Sequence, residues 1–499
     1  MKKYQRNIFF TGIATLMLFA SCTKGLLDVS PPDRLSTTIF WKSEADADLA
    51  LTGLYNFLYA GGGNWANSQY EVMGWDTYTD DVFGKHNYGG GYDATSSGIT
   101  PNTGAYVRSY YENNFKAIAA INSFLANVDK VLTGDKLTKY KGEAYFLRAF
   151  NYFWLAQLYG NVPIVKDDPF KADFKTPMAK SARADVLAFV NQDLDAAIAA
   201  LPDDAYGSGH AVKTTAQGYK VRALLFEKKY PEAAALAKQI IDGNQYSLNP
   251  DYAANFYKAG QNVSQEIMFS VKFQLPNIEH ADAALNVTMQ TWGGYQGTQN
   301  LIDEYETGDP RKSMTWFFPG DGPDKGWPFS NPAVATPGGG QDWIVGFYLP
   351  KKWLTAGLKN PDYGVKGDND FVLLRYADIK LMYAEAQNEA VGPDASVYTQ
   401  INEVRDRPGV NMPALPAGLT KEQMRAAIRH ERRVEFPLEG LRYFDLRRWG
   451  IATQTLSGFA PNPLAPNIQI KYENKYEFWP IPQTEIDRNQ PVLEQNPDY

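Results

Sequence analysis

Residues 215–243 read TAQGYKVRALLFEKKYPEAAALAKQIIDG, two helical stretches around a turn. Small Ala216, Gly218 and Ala223 let a neighbouring helix come close, Tyr230 and Pro231 make the turn, and Ala234, Ala237 and Ile241 return the apolar face. That is how a tetratricopeptide unit reads. Two further stretches, YKGEAYFLRAFNYFWLAQLYG (140–160) and LLRYADIKLMYAEAQNEA (373–390), have the pattern of first helices of similar pairs. Their spacing along the chain is irregular, which excludes a clean repeat array. The expected fold is therefore mainly α: tetratricopeptide-like helix pairs forming a scaffold decorated with long loops and a few short strands.

Apolar residues recur at i, i+3, i+4 and i+7 in several segments, the stripe of an amphipathic helix. The pattern predicts helices over 43–59, 105–131, 136–159, 181–201, 214–228 and 231–242, and again over 373–390, 397–405, 421–436 and 441–449. Ser43 is an N-cap candidate with Asp46 three residues on. Strand-like alternation is sparse, and 266–273 and 468–478 are its best candidates.

A lone cysteine permits no intramolecular disulfide, so stability rests on the hydrophobic core, for which 44% hydrophobic residues are adequate. The formal charge is −7, and since Lys2, Lys3 and Arg6 are the charged residues among the first 21, the remainder stands at −10. Nucleic acid demands a basic face, so it is excluded as a partner and polyanionic ligands are disfavoured.

The cysteine itself, Cys22, lies in LMLFASCTKG (16–25), behind a basic start and a mostly apolar run over 8–19. That run is shorter than the roughly 20 residues a spanning helix needs, and the chain turns polar at Lys24, Asp28 and Pro31. Residues 1–21 are expected to be a signal peptide that is removed, leaving 22–499 as a single domain. The site resembles the lipobox of bacterial lipoproteins, with Phe19 where leucine is usual. That resemblance implies that the Cys22 thiol is acylated and becomes the anchor in outer-membrane lipid, for which two or more acyl chains suffice.

Three motifs occur together: EAYFLRAFNYFWLAQLYGNVPIV (143–165), RYADIKLMYAEAQNE (375–389) with INEVRDRPGV (401–410), and ERRVEFPLEGLRYFDLRRWG (431–450). They resemble the signature segments of the SusD/RagB family of outer-membrane nutrient-binding lipoproteins. The ending FWPIPQTEIDRNQPVLEQNPDY (478–499) is similar to the family's terminus, although Asp498 stands where glycine is common. The resemblance implies a surface lipoprotein on a tetratricopeptide-like frame that captures a nutrient, usually a glycan, and delivers it to a SusC-like TonB-dependent transporter. It implies a place at the cell outer membrane, facing the exterior.

The residues also offer rival readings. Glu431 and Glu435, one helical turn apart, are the residue type of a glycosidase pair. Arg432, Arg433, Arg442, Arg447 and Arg448 surround them, which would keep both ionised, whereas a general acid needs a raised pKa. They read as ion pairs clamping two elements, and no enzyme activity is expected. A second rival is a pure protein-binding scaffold made of helix pairs. His430 and Glu431 open an HExxH whose second histidine is replaced by Val434, and the four histidines show no ligand spacing. PGDGPDKG (319–326) offers Asp321 and Asp324 as candidate calcium ligands, but reads first as a polar turn. No cofactor and no metal are expected.

Two stretches, 61–103 and 286–348, break the helical pattern and hold six of the eleven tryptophans, which marks them as the ligand-binding loops. They are rich in Gly, Asn, Gln and Asp, as in GKHNYGGGYD and QTWGGYQGTQN. A pyranose offers an apolar C–H face to an aromatic ring and hydroxyls to amides and carboxylates. Loops on a rigid frame are where such sites lie. Tyr88, Tyr92, Trp292 and Tyr295 are the expected platforms, with Asn87, Gln296 and Asp93 as hydrogen-bonding partners and Trp65 as a further ring. Trp154, Trp449 and Trp479, inside the family-like motifs, are expected to pack.

Overall fold

The computed structural model describes residues 40–59, 72–84, 98–103, 105–169, 177–279, 294–327, 348–354, 366–463, 466 and 468–499. Cys22 and the expected signal segment lie outside them. Helix α1 (Glu44–Asn56) starts as its sequence predicts: the Ser43 backbone N–H donates to the Asp46 carboxylate at 2.8 Å. Short helix α2 (Val72–Asp76) and strand β1 (Val82–Gly84) follow. Then comes the frame: α3 (Ala105–Asn127), α4 (Gly134–Leu158), α5 (Arg183–Ala200), α6 (Lys213–Phe226) and α7 (Tyr230–Asp242). Each of these helices packs on the next.

After α7 the chain leaves the stack. The excursion contains α8 (Lys258–Gln261), β2 (Ile267–Val271), β3 (Tyr295–Gly297), α9 (Gln299–Glu304), α10 (Arg311–Thr315), β4 (Trp316–Phe317), β5 (Leu349–Pro350) and β6 (Phe371–Arg375). Helix α11 (Tyr376–Ala390) then packs directly on α7, α12 (Ala395–Arg405) and α13 (Lys421–Glu435) pack on α11, and the stack resumes. Three short helices finish the chain, α14 (Arg442–Arg448), α15 (Ala452–Leu456) and α16 (Gln483–Arg488). The mainly helical, tetratricopeptide-like frame is thus present, with a long insertion between two of its neighbouring helices.

Small residues set the helix spacing. A Cβ on Gly218 would lie 2.5 Å from Leu374 Cδ2 and 3.1 Å from Ile379 Cδ1, so a larger residue would push α6 off β6 and α11. From Gly142 onward helix α4 is buried on nearly every side, with Phe146, Phe150 and Phe153 at 1% exposure or less. Its Arg148 is fixed by two bonds to Asp193 of α5, at 2.7 and 2.9 Å.

Two expectations are corrected. The helix expected from Leu373 begins at Tyr376, because Phe371, Val372 and Leu374 are taken up by β6, which pairs antiparallel with β2. The strand expected over 468–478 does not form; it is irregular chain with a 3-10 turn at Asn474–Glu477. Ile468, Ile470 and Tyr472 are buried at every second residue, so the alternation reports one-sided burial without a ladder. The backbone bonds there go elsewhere: Ile470 N–H donates to the Phe459 carbonyl at 2.8 Å and Trp479 N–H to the Leu158 carbonyl at 2.6 Å.

Candidate ligand-binding site

The two irregular stretches meet. β1 from the first pairs antiparallel with β3 from the second, Val82 opposite Gly297, Phe83 opposite Gln296 and Gly84 opposite Tyr295. Gly297 bridges onward to Tyr348, beside β5. Close approach explains the glycine: a Cβ at 297 would sit 3.0 Å from the indole of Trp316. The joint is tied to the helical frame by charge. Arg433 of α13 binds Asp80 at 2.9 Å and Asp81 at 2.8 Å, while Arg442 of α14 binds Asp80 at 2.8 Å.

Burial sorts the expected site residues. Tyr295 is 3% exposed and Gln296 1%, so neither is a surface platform; as members of β3 they are covered by the elements on either side. Gln296 accepts a hydrogen bond from Asn462 at 3.3 Å. Trp65, Asn87, Tyr88, Tyr92, Asp93 and Trp292 lie outside the described residues. Among the other loop tryptophans, Trp75, Trp316 and Trp327 are all buried. Trp75 packs among Tyr110, Phe444 and Trp479 at ring separations of 4.8, 5.1 and 5.5 Å, and Trp327 meets Phe317 at 5.1 Å. Three of the six tryptophans in these stretches therefore pin the loops down.

At the joint two other rings are half-buried. Phe318 and Tyr348 meet at 5.3 Å, and the Tyr348 hydroxyl donates to the Gln299 side chain at 2.7 Å. Neither ring stands out in the sequence beside the tryptophans; the available signal is a position next to the Pro–Gly turn and at the edge of the second stretch. The turn is as expected, with the Asp321 carboxylate accepting from the Phe318 backbone N–H at 2.8 Å.

Trp479 is fully buried, as its motif suggests. Trp154 is half-buried, 4.7 Å from Phe444, and Trp449 is half-buried between elements rather than inside the core.

The paired glutamates of α13 sit in a closed ionic cluster. Glu435 accepts from Arg311 at 2.8 Å, Arg375 at 2.7 Å and Arg407 at 2.5 Å; Glu431 accepts from Arg311 at 2.6 Å and Arg405 at 2.8 Å. Both glutamates are 0% exposed. Burial pushes the Glu435 carboxyl up, but Arg407, Arg375 and Arg311 outweigh it and hold it at about 2. A glycosidase acid needs the opposite shift and access to the sugar, so this pair serves structure. It joins α13 to α10, β6 and the segment after α12. Among the described residues no group of three His, Cys, Asp or Glu could hold a metal ion, and no helix is long and apolar enough to cross a membrane.

Comparison with known proteins gives the same picture. The family model for the SusD family matches residues 236–499, and a model described as starch-binding associating with outer membrane matches residues 26–225. SusD-like protein P2 of Formosa agariphila is 23% identical over 526 aligned residues, which cover all of both chains. A SusD-like carbohydrate binding protein from Bacteroides fragilis has a TM-score of 0.76 at 24% identity, covering 91% of this chain and 99% of its own. Surface glycan-binding protein A from Bacteroides thetaiotaomicron, in complex with laminarihexaose, has a TM-score of 0.75 at 18% identity, covering 91% of this chain and 100% of its own. At these identities the two structures speak for the fold.

Proposed function

The chain belongs to the SusD family, and from that premise we propose that it binds an oligo- or polysaccharide at the joined loops and delivers it, unconverted, to a SusC-like TonB-dependent transporter. The observation that carries the reading is the β1–β3 joint, which unites two aromatic- and amide-rich stretches beside the half-buried Phe318 and Tyr348. Aromatic faces with amides at their edges suit pyranose rings. In this reading Tyr88, Tyr92 and Trp292 stack on sugars, Trp65 adds a ring, and Asn87 and Asp93 bond hydroxyls. Phe318, Tyr348 and Gln299 extend the platform, while Tyr295 and Gln296 support it from beneath.

The absence of conversion is supported by the state of Glu431 and Glu435, both buried and bound by arginines. We further propose that residues 22–499 act as one domain, anchored in the outer membrane through acylated Cys22 and facing the exterior. Cys22→Ala should release the protein from the outer-membrane fraction, and protease shaving of intact cells should cut the unaltered protein. The central test is a glycan panel with product analysis. Saturable binding with no turnover is expected; turnover abolished by Glu435→Gln would overturn the reading.

A further inference from the structure

On the frame, the α6–α7 turn, α11, α13 and the end of α14 enclose a polar cleft of about 80 Å³ that no residue of the joined loops lines. At about 10–15 Å³ for each water this is room for a small polyatomic group. The side chains lining it carry four positive charges, Lys228, Arg425, Arg429 and Arg448, against two negative, Glu385 and Glu389.

Two of the three guanidinium groups are committed. Arg425 grips Glu389 through two nitrogens, at 2.5 and 2.7 Å. Arg448 grips Glu385 through both terminal nitrogens, one at 2.7 Å, and binds Asp445 through Nε at 2.8 Å. Asp445 is itself shared with Arg432. Glu385 also accepts from the Trp449 indole at 3.0 Å.

Arg429 has none of this. Its guanidinium is stacked over the Trp449 ring at 4.7 Å, and its Nε is buried with no acceptor. A cation–ring contact of this kind uses none of the fork's donors. Lys228, exposed at the α6–α7 turn, and the hydroxyl of Tyr230 stand at the same cleft, and neither is engaged by a carboxylate among the described residues. No protein group accepts from this buried N–H, and an oxyanion in the cleft would satisfy it with a charge-assisted bond.

We propose that this cleft is an oxyanion-binding site, taking one carboxylate or sulfate group on Arg429 with Lys228 and Tyr230 as further donors. The group is either a free small anion or the acidic substituent of a saccharide; the two share this chemistry. The negative charge of the chain as a whole disfavours a polyanion, but a local excess of cations in a cleft accommodates one acidic group. The site is separate from the proposed glycan platform and does not depend on it.

The test is calorimetric titration of the full chain with sulfate, glucuronate and digalacturonate, with glucose as the neutral control, in low-chloride buffer. Sulfate and glucuronate should bind and glucose should not. Arg429→Gln should weaken binding about tenfold or more, the scale of losing a charge-assisted hydrogen bond. Arg429→Lys should restore part of it, and Lys228→Ala, at an exposed residue, should weaken it less. Digalacturonate binding tighter than glucuronate assigns the group to a saccharide; equal binding assigns it to a free anion. Sulfate binding that persists in Tyr348→Ala separates this cleft from the loops. If none of the anions binds, or Arg429→Gln binds them as the unaltered protein does, the site does not exist.

Discussion

The Thr298 hydroxyl donates to the Asp80 carbonyl at 2.6 Å, joining positions 218 residues apart in sequence. Thr298 has two further roles. Its backbone N–H donates to the Asp81 carbonyl at 3.0 Å, and its hydroxyl oxygen accepts from Leu301 N–H at 3.2 Å as the N-cap of α9. Thr298→Val keeps the shape and removes the hydroxyl, leaving the Asp80 carbonyl without this donor and α9 without its cap. We expect a loss of about 1–2 kcal/mol in denaturant unfolding and weaker glycan binding, because both loops are positioned through this contact. Unaltered stability would remove Thr298 from the clamp.

Two tyrosines of the same joint should respond in opposite ways. Tyr295 is buried, so Tyr295→Ala opens a cavity and should cost about 3–5 kcal/mol of stability, the scale of truncating a large core ring. Tyr348 is half-buried, and Tyr348→Ala should cost less, about 1 kcal/mol in stability, while weakening glycan binding roughly 5-fold or more, the scale of one lost ring contact. Melting temperature and affinity, measured on both variants, check the contrast. A Tyr348→Ala protein that binds glycan normally would take that ring out of the platform.

What could be read in advance follows from how local the determinants are. Helical spacing in 215–243 and the small residue at 218 gave the stack, since a 3.6-residue stripe and a missing Cβ are properties of a short segment. The start of α11 was misplaced because FVLLR at 371–375 is apolar throughout, and only its pairing with the distant β2 makes it a strand. The loop stretches were recognisable as a group, but not the depth of each ring in them. Tyr295 and Trp75 read like Tyr348, and a contact with residues hundreds of positions away decides which of them reaches solvent. The arginine and glutamate alternation of 431–450 pointed to ion pairs, while Arg311 and Arg375, two of the partners of Glu435, come from elements that nothing local links to α13.

The ionic cluster predicts a response to acid. Glu435 lies at about 2 in the folded protein against the usual 4.5, and Asp378 at about 2 against 3.8, where burial is outweighed by Arg432 and Arg222. A depressed carboxylate contributes stability that is present above its unfolded value and lost as pH falls through the folded one. Stability should therefore decline as pH falls from 4.5 toward 2. Glu435→Gln leaves three buried guanidinium groups short of a charge and should cost about 3–5 kcal/mol at neutral pH. Its unfolding should also be less sensitive to acid in that window. An equally steep acid profile in the variant would show that Glu435 is not a source of the dependence.

His430 predicts a dependence of the opposite sign. Its Nδ1 lies 2.8 Å from Glu304, the last residue of α9, and its Nε2 3.3 Å from Glu306 just beyond it, while Glu431 is its neighbour on α13. Arg433 faces the same group through Glu304, and Arg405 through Glu306 and Glu431. Burial works against the charged ring, but the hydrogen bond and charge of Glu304, with Glu431 and Glu306 behind it, raise the pKa above the usual 6.5. A raised histidine contributes stability that is fully present below 6.5 and is lost as pH rises through the folded value. His430→Gln should therefore unfold more easily than the unaltered protein at about pH 5.5, by roughly 1 kcal/mol, a charge-assisted bond reduced by the partial exposure of its partners. As pH rises through the raised folded value the difference should shrink. Thermal melting of both proteins across this range checks it, and parallel curves at every pH would mean that the imidazole does not carry its charge between these glutamates.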